Sequence, residues 1–139
     1  MSKEPRRGVT FAMLDKEKGW PELPPATEEE YPLPAWYRAV QNIALDELGI
    51  EDIAKACRQR IHFEHVVPLA LRLLQADPLA GEMYDGELLV SLKSVPPDYW
   101  SKNQNERQAL KSVTESALRE ESVTPGVRED AQELLRTVS

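Results

Sequence analysis

The residues best suited to chemistry in this chain are its two histidines and its one cysteine. They come closest together at His62-Phe63-Glu64-His65, with Cys57 upstream. A zinc protease needs H-E-x-x-H or H-x-x-E-H, which places two imidazoles and a general base on one helical face. The spacing here is H-x-E-H, so that face does not form. The H-x-E of zinc deaminases is present, but the P-C-x-x-C that completes their metal site is not. Cys57 lies more than a helical turn away, and with two imidazoles it makes an incomplete ligand set. His62 and His65 therefore read as junction residues bonded to backbone carbonyls. Cys57 lies on an apolar stripe and reads as a small buried hydrophobe. A lone cysteine cannot form an internal disulfide. The chain has no nucleophile elbow and no glycine-rich phosphate loop. No carboxylate pair comes with a nucleophile, a base and an orienting group. The sequence thus implies no enzyme, no metal and no cofactor.

What the chain does carry is negative charge. Its 139 residues have a formal net charge of −7, with 41% hydrophobic and 29% charged residues. That composition suits a folded chain of modest core. An acidic surface repels nucleic acid and attracts a basic protein surface. Two groups of carboxylates stand out: Glu28-Glu29-Glu30, and Glu82, Asp85 and Glu87 around Tyr84. Each has a plain reading, as a solvated run and as carboxylates favoured at a helix start. Each is also a candidate partner-binding surface. No apolar run approaches membrane-spanning length, and no apolar core follows MSKEPRRGV as a signal peptide would require. The expectation is a cytoplasmic protein without nucleic-acid or membrane partners.

These residues must be positioned by helices. TFAMLDKEKG suggests one or two turns, with Thr10 as N-cap and Gly19 as stop. WPELPPATEEEYPLP is too rich in proline for a helix or a central strand and reads as an extended arm, pinned by Leu23, Tyr31 and Leu33. From Pro34 the helical spacing is continuous: Trp36, Ala39, Val40 and Ile43, then Ile50, Ile53, Ala54, Cys57 and Ile61 after a break at Gly49. VVPLALRLLQADP is apolar on most sides and should be central. Pro68 places its start near Val67, after a bend at His62–Val66. ELLVSLKSV buries Leu88, Leu89, Leu92 and Val95, and Pro96-Pro97 stops it. Asp98-Tyr99-Trp100 reads as a turn that tucks the indole inward, with Tyr84 as the second pin. Asn103 and Glu106 have capping-box spacing before a helix burying Leu110, Val113, Ala117 and Leu118. Thr124-Pro125 opens a last helix with Val127, Ala131, Leu134, Leu135 and Val138 inward. The fold class is all-α: a single-domain irregular bundle of about five to seven helices, with an N-terminal arm over residues 1–34 and a helical domain over 35–139.

Three stretches, in this order, resemble the immunity proteins of bacterial contact-dependent growth inhibition (CDI) systems. TFAMLDKEKGW is similar to the family's leucine- and acid-rich opening followed by Trp. IEDIAKACRQRI is similar to its acid-first helix with a Gln near the end. HFEHVVPLALRLLQADPLAGEMYDGELLVSLKSVPPDYW resembles its apolar run with PLAL, its Tyr-x-Gly-x-Leu-Leu segment and its Pro-x-x-aromatic-Trp close. The resemblance covers residues 10 to 100. Gly49 departs from it, where a hydroxyl N-cap is expected, and residues 101 to 139 match nothing in the family pattern. The resemblance implies a cytoplasmic immunity protein that neutralises the toxic C-terminal domain of a cognate cell-surface effector. That partner is expected to be a nuclease of the tRNase kind, and basic, because nuclease clefts hold phosphates. Glu28, Glu29, Glu30, Glu82, Tyr84, Asp85 and Glu87 are the expected toxin-binding residues. The competing reading is a non-enzymatic helical adaptor or a self-assembling protein, which would present a self-complementary apolar patch.

Overall fold

The computed structural model of the chain describes residues 8–22 and 31–139. Among them are eight α-helices and two short 3₁₀ turns, with no strand. The chain divides at Gly49 into two compact units, residues 6–48 and residues 49–139.

In the first unit, α1 spans Phe11–Glu17 and α2 spans Pro32–Val40. Thr10 caps α1 as expected, its hydroxyl accepting from the Met13 N–H at 3.1 Å, and Gly19 follows the helix at φ 71°. Pro32 occupies the first turn of α2, where its missing N–H costs nothing. The Phe11 ring stacks on Tyr37 at 5.5 Å and tilts against Trp36 at 6.4 Å. The Tyr37 hydroxyl donates to Asp15 at 2.6 Å. Burial and that carboxylate push the phenol well above its ordinary pKa. The apolar spacing at Trp36, Ala39, Val40 and Ile43 is only partly realised. The helix stops at Val40, phase is lost, and Ile43 is exposed. Tyr31 and Leu33, expected to pin the arm, are both exposed, and Pro32, Leu33 and Pro34, expected to be extended, form the first turn of α2. Leu23 and the Glu28-Glu29-Glu30 run lie outside the described residues.

The second unit holds α3 (Ile50–Arg58), α4 (Phe63–Ala76), α5 (Glu87–Ser91) continuing into a 3₁₀ turn (Leu92–Ser94), α6 (Pro97–Lys102), α7 (Gln104–Leu118) and α8 (Pro125–Val138). α4 is central, as its apolar pattern requires. It buries Val66, Val67, Leu69, Ala70, Leu71 and Leu74 and packs on α3, α5 and α7. α7 packs in turn on α8. Leu88, Leu89, Leu92 and Val95 are all buried, as are Val127, Ala131, Leu134 and Val138 on α8. Thr124 caps α8 by accepting from the Val127 N–H, with Pro125 in the first turn.

Three local expectations are corrected. α4 begins at Phe63, four residues before Val67, and Pro68 lies inside it. The N–H that proline lacks would have met the carbonyl of Glu64, an exposed residue in the first turn, so the helix loses one bond near its end rather than at its centre. Asp98-Tyr99-Trp100 is part of helix α6, because Pro97 has the φ that a first turn needs. Asn103 makes no side-chain cap for α7. Its amide donates instead to the Tyr99 carbonyl at 2.8 Å, closing the end of α6 one residue earlier.

Candidate partner-binding surface

Between α4 and α5 the chain makes a loop from Asp77 to Gly86. Its base is held by backbone bonds. The Gly86 N–H donates to the Leu79 carbonyl at 2.8 Å and the Leu88 N–H to the Ala80 carbonyl at 3.1 Å. Asp77 accepts from the Leu79 N–H at 3.0 Å, an Asx turn that starts the loop. Leu79 and Ala80 are buried and anchor it from below. Gly81 has no space for a side chain: a Cβ there would collide with the Tyr84 carbonyl and stand 2.8 Å from the Glu87 Cβ.

Above this base, Glu82, Met83, Tyr84 and Asp85 are all exposed. Met83 is 70% and Tyr84 48% accessible, high values for large apolar side chains. The tip is held from within by Glu87. One oxygen of its carboxylate, Oε1, accepts from the backbone N–H groups of Glu82 at 3.0 Å and Met83 at 3.2 Å. The other, Oε2, lies 3.8 Å from Arg58 Nη1 on α3. A buried carboxylate is costly unless its charge is met; here Oε1 accepts two hydrogen bonds and Oε2 faces the Arg58 guanidinium at ion-pair distance. The Glu82 carboxylate reaches back to α3, where Oε1 would lie 3.3 Å and Asp52 Oδ2 3.9 Å from a Cβ on Gly49. α3 has no side-chain N-cap, and anionic groups are favoured at such an end.

The structure brings Glu82, Tyr84 and Asp85 onto one exposed tip. Glu87, expected at the exposed start of its helix, is corrected: it is 3% accessible and points under the loop. The reason is Gly86, which offers no side chain to the loop N–H groups and leaves the first carboxylate of α5 to accept from them. Tyr84 does not pin α5. Of the two expected pins only Trp100 is buried, at 2% accessible and edge-on to Tyr99 at 5.2 Å. Burial, with the charges of Glu106 and Glu64, raises the pKa of Tyr99. Sequence reasoning passed over Met83 and Arg58. A Met beside a Tyr between the acidic residues Glu82 and Asp85 is a legible signal, whereas the reach of Arg58 to Glu87 is a tertiary contact.

The groups first considered for chemistry lie elsewhere. His62 is buried at the start of α4 with φ 45°, and His65 follows in the first turn. Cys57 is fully buried, and burial pushes its thiol up to about 12. Among the described residues no three His, Cys, Asp or Glu side chains form a group that could hold a metal. No described helix is long and apolar enough to cross a membrane.

The sequence profile described as CDI immunity proteins matches residues 17–110. The chain belongs to the CDI immunity proteins. The matched range runs through α2, α3, α4, the 82–85 tip, α5 and α6 and ends inside α7. A CDI immunity protein has a cognate toxin as its partner, and residues 82–85 lie within the matched range. The second half of α7 and all of α8 lie beyond the match. No curated protein matches the chain.

Proposed function

We propose that this CDI immunity protein acts in the cytoplasm by binding the C-terminal toxin domain of its cognate effector, and that the toxin is a basic nuclease of the tRNase kind. The observation that carries the reading is the 82–85 tip, where two large apolar side chains stand exposed between two carboxylates. Aromatic and Met side chains are enriched at the centres of interfaces, and charges at their rims. A net charge of −7 suits a cleft built to hold phosphates. Glu28, Glu29 and Glu30 add negative charge that steers the encounter. The protein works by occupying the toxin's substrate path and performs no catalysis itself.

The test is to purify the protein with the toxin domain encoded beside it and assay RNA and DNA cleavage by that domain. The expected result is a stoichiometric complex in which cleavage is abolished, and growth of cells producing both proteins. If the two do not associate, and the immunity protein alone forms a defined oligomer by sedimentation, the adaptor or self-assembling reading takes over.

A further inference from the structure

We infer that Glu87 is a positioning residue for partner recognition: its buried carboxylate fixes the 82–85 tip in a binding-ready shape, so that Met83 and Tyr84 enter an apolar notch on the toxin domain rimmed by Lys or Arg. This rests on the proposal that the partner is a toxin domain, and adds which surface meets it and what holds that surface. An exposed four-residue tip would ordinarily sample many conformations. Ordering its backbone on binding would cost conformational entropy and weaken association. Here that order exists beforehand. Two successive N–H groups, of Glu82 and Met83, point inward to one oxygen of Glu87, and the Glu87 N–H itself donates to the Tyr84 carbonyl at 3.2 Å. The tip is therefore closed on Glu87 from both directions along the chain. Gly81 lets it close this tightly, because any side chain there would meet the Tyr84 carbonyl.

The same bonds decide what the tip shows a partner. With its inward N–H groups taken, it presents Met83 and Tyr84 outward, flanked by Glu82 and Asp85, with Asp52 near Glu82. The complement of that pattern is an apolar recess bordered by cations. A phosphate-holding cleft supplies the cations, and its wall supplies the recess. Nucleic acid is excluded as the occupant by the flanking carboxylates.

The experiment compares wild type, Glu87→Gln, Glu87→Ala, and the exposed-tip variants Met83→Ala and Tyr84→Ala. It measures amide hydrogen exchange in the free protein and toxin association and dissociation rates separately. Glu87→Ala is expected to lose at least tenfold protection at the Glu82 and Met83 amides while the amides of α4 keep theirs. Its toxin dissociation should be at least tenfold faster. Glu87→Gln keeps an acceptor oxygen and should recover most of both. Met83→Ala and Tyr84→Ala, which leave the latch intact, should keep amide protection and still speed dissociation at least tenfold. Unchanged protection in Glu87→Ala overturns the latch. Normal toxin dissociation in Met83→Ala and Tyr84→Ala overturns the tip as the recognition element while leaving the immunity function standing. A wild-type protein that binds no toxin overturns the function itself. Should Glu87→Ala fail to fold, the tip variants and Glu87→Gln decide the outcome.

Discussion

Gly86 and Val127 sit against each other with no room for a methyl group between them. A Cβ on Gly86 would stand 2.6 Å from Val127 Cγ1, and Gly86 itself holds φ at +94°. The contact joins the base of the exposed tip to the first turn of α8, a helix beyond the range shared with the family.

Gly86→Ala is expected to destabilise the fold for two reasons, the left-handed backbone and the collision with Val127. Together they should cost roughly 2–4 kcal/mol. Gly86→Ala/Val127→Ala relieves the collision but not the backbone cost. Denaturant titration of both single variants and the double variant gives the coupling energy. Strictly additive effects would show that the contact does not matter.

Leu74→Asp and Leu71→Asp should unfold the protein. Leu74 is fully buried and Leu71 nearly so on the central helix. An unpaired buried carboxylate costs several kcal/mol, against a total stability on the order of 5–15 kcal/mol. Circular dichroism melts check this, and a wild-type melting temperature in either variant would remove α4 from the centre of the core.

Stability should fall in alkaline solution as Cys57 titrates. Its thiol ionises near its ordinary value of 9.0 when unfolded and at about 12 when buried. Between those values the unfolded state binds fewer protons, so rising pH favours unfolding. The raised phenols of Tyr99 and Tyr37 act in the same direction at higher pH. Cys57→Ala should flatten the decline above pH 9 in equilibrium unfolding. A thiol reagent should label Cys57 only at the rate of unfolding; immediate labelling of the native protein would contradict its burial.

Charge reversal at Asp85→Lys, and at the Glu28-Glu29-Glu30 run, should slow toxin association while leaving the melting temperature within a few degrees. Electrostatic steering speeds association roughly 10- to 1000-fold at low ionic strength and fades as the Debye length falls to about 3 Å at 1 M salt. Stopped-flow association across a salt series tests it. If neither variant nor salt alters association, recognition does not depend on the acidic surface.

Lys93 sets α8 against the 3₁₀ turn that follows α5. Its ammonium lies 2.7 Å from Asp130 and 2.9 Å from Glu133, and hydrogen bonds to these two carboxylates raise its pKa. A raised lysine contributes stability below its unfolded pKa and loses it as pH climbs through the folded value. All three side chains are partly exposed, so Lys93→Met should lower stability by no more than about 1 kcal/mol, with an effect that shrinks in high salt. A loss several times larger would mean that the lysine stem also packs.

The sequence alone determined the all-α class, the caps at Thr10 and Thr124, the central place of α4, and the inward faces of α5, α7 and α8. These features follow from local spacing: apolar residues at helical intervals, a hydroxyl before a helix, a proline in its first turn. The same local rules misplaced the start of α4, because a proline that removes one helix bond is tolerated when packing holds the helix, and α4 buries six side chains. They also misread Glu87. A carboxylate at a helix start is drawn outward by every local rule, and it turned inward because two loop N–H groups and Arg58 were waiting there. Tyr84 and Trp100 looked alike as aromatic pins. The fold buried only the indole, because Trp100 is carried inward on a short helix and Tyr84 stands on a tip that Gly81 and Gly86 let close without it. Periodicity fixes which face of an element is apolar. Only the tertiary structure decides which donors meet a lone carboxylate and which aromatic ring is left facing solvent, because both depend on residues far apart in the chain.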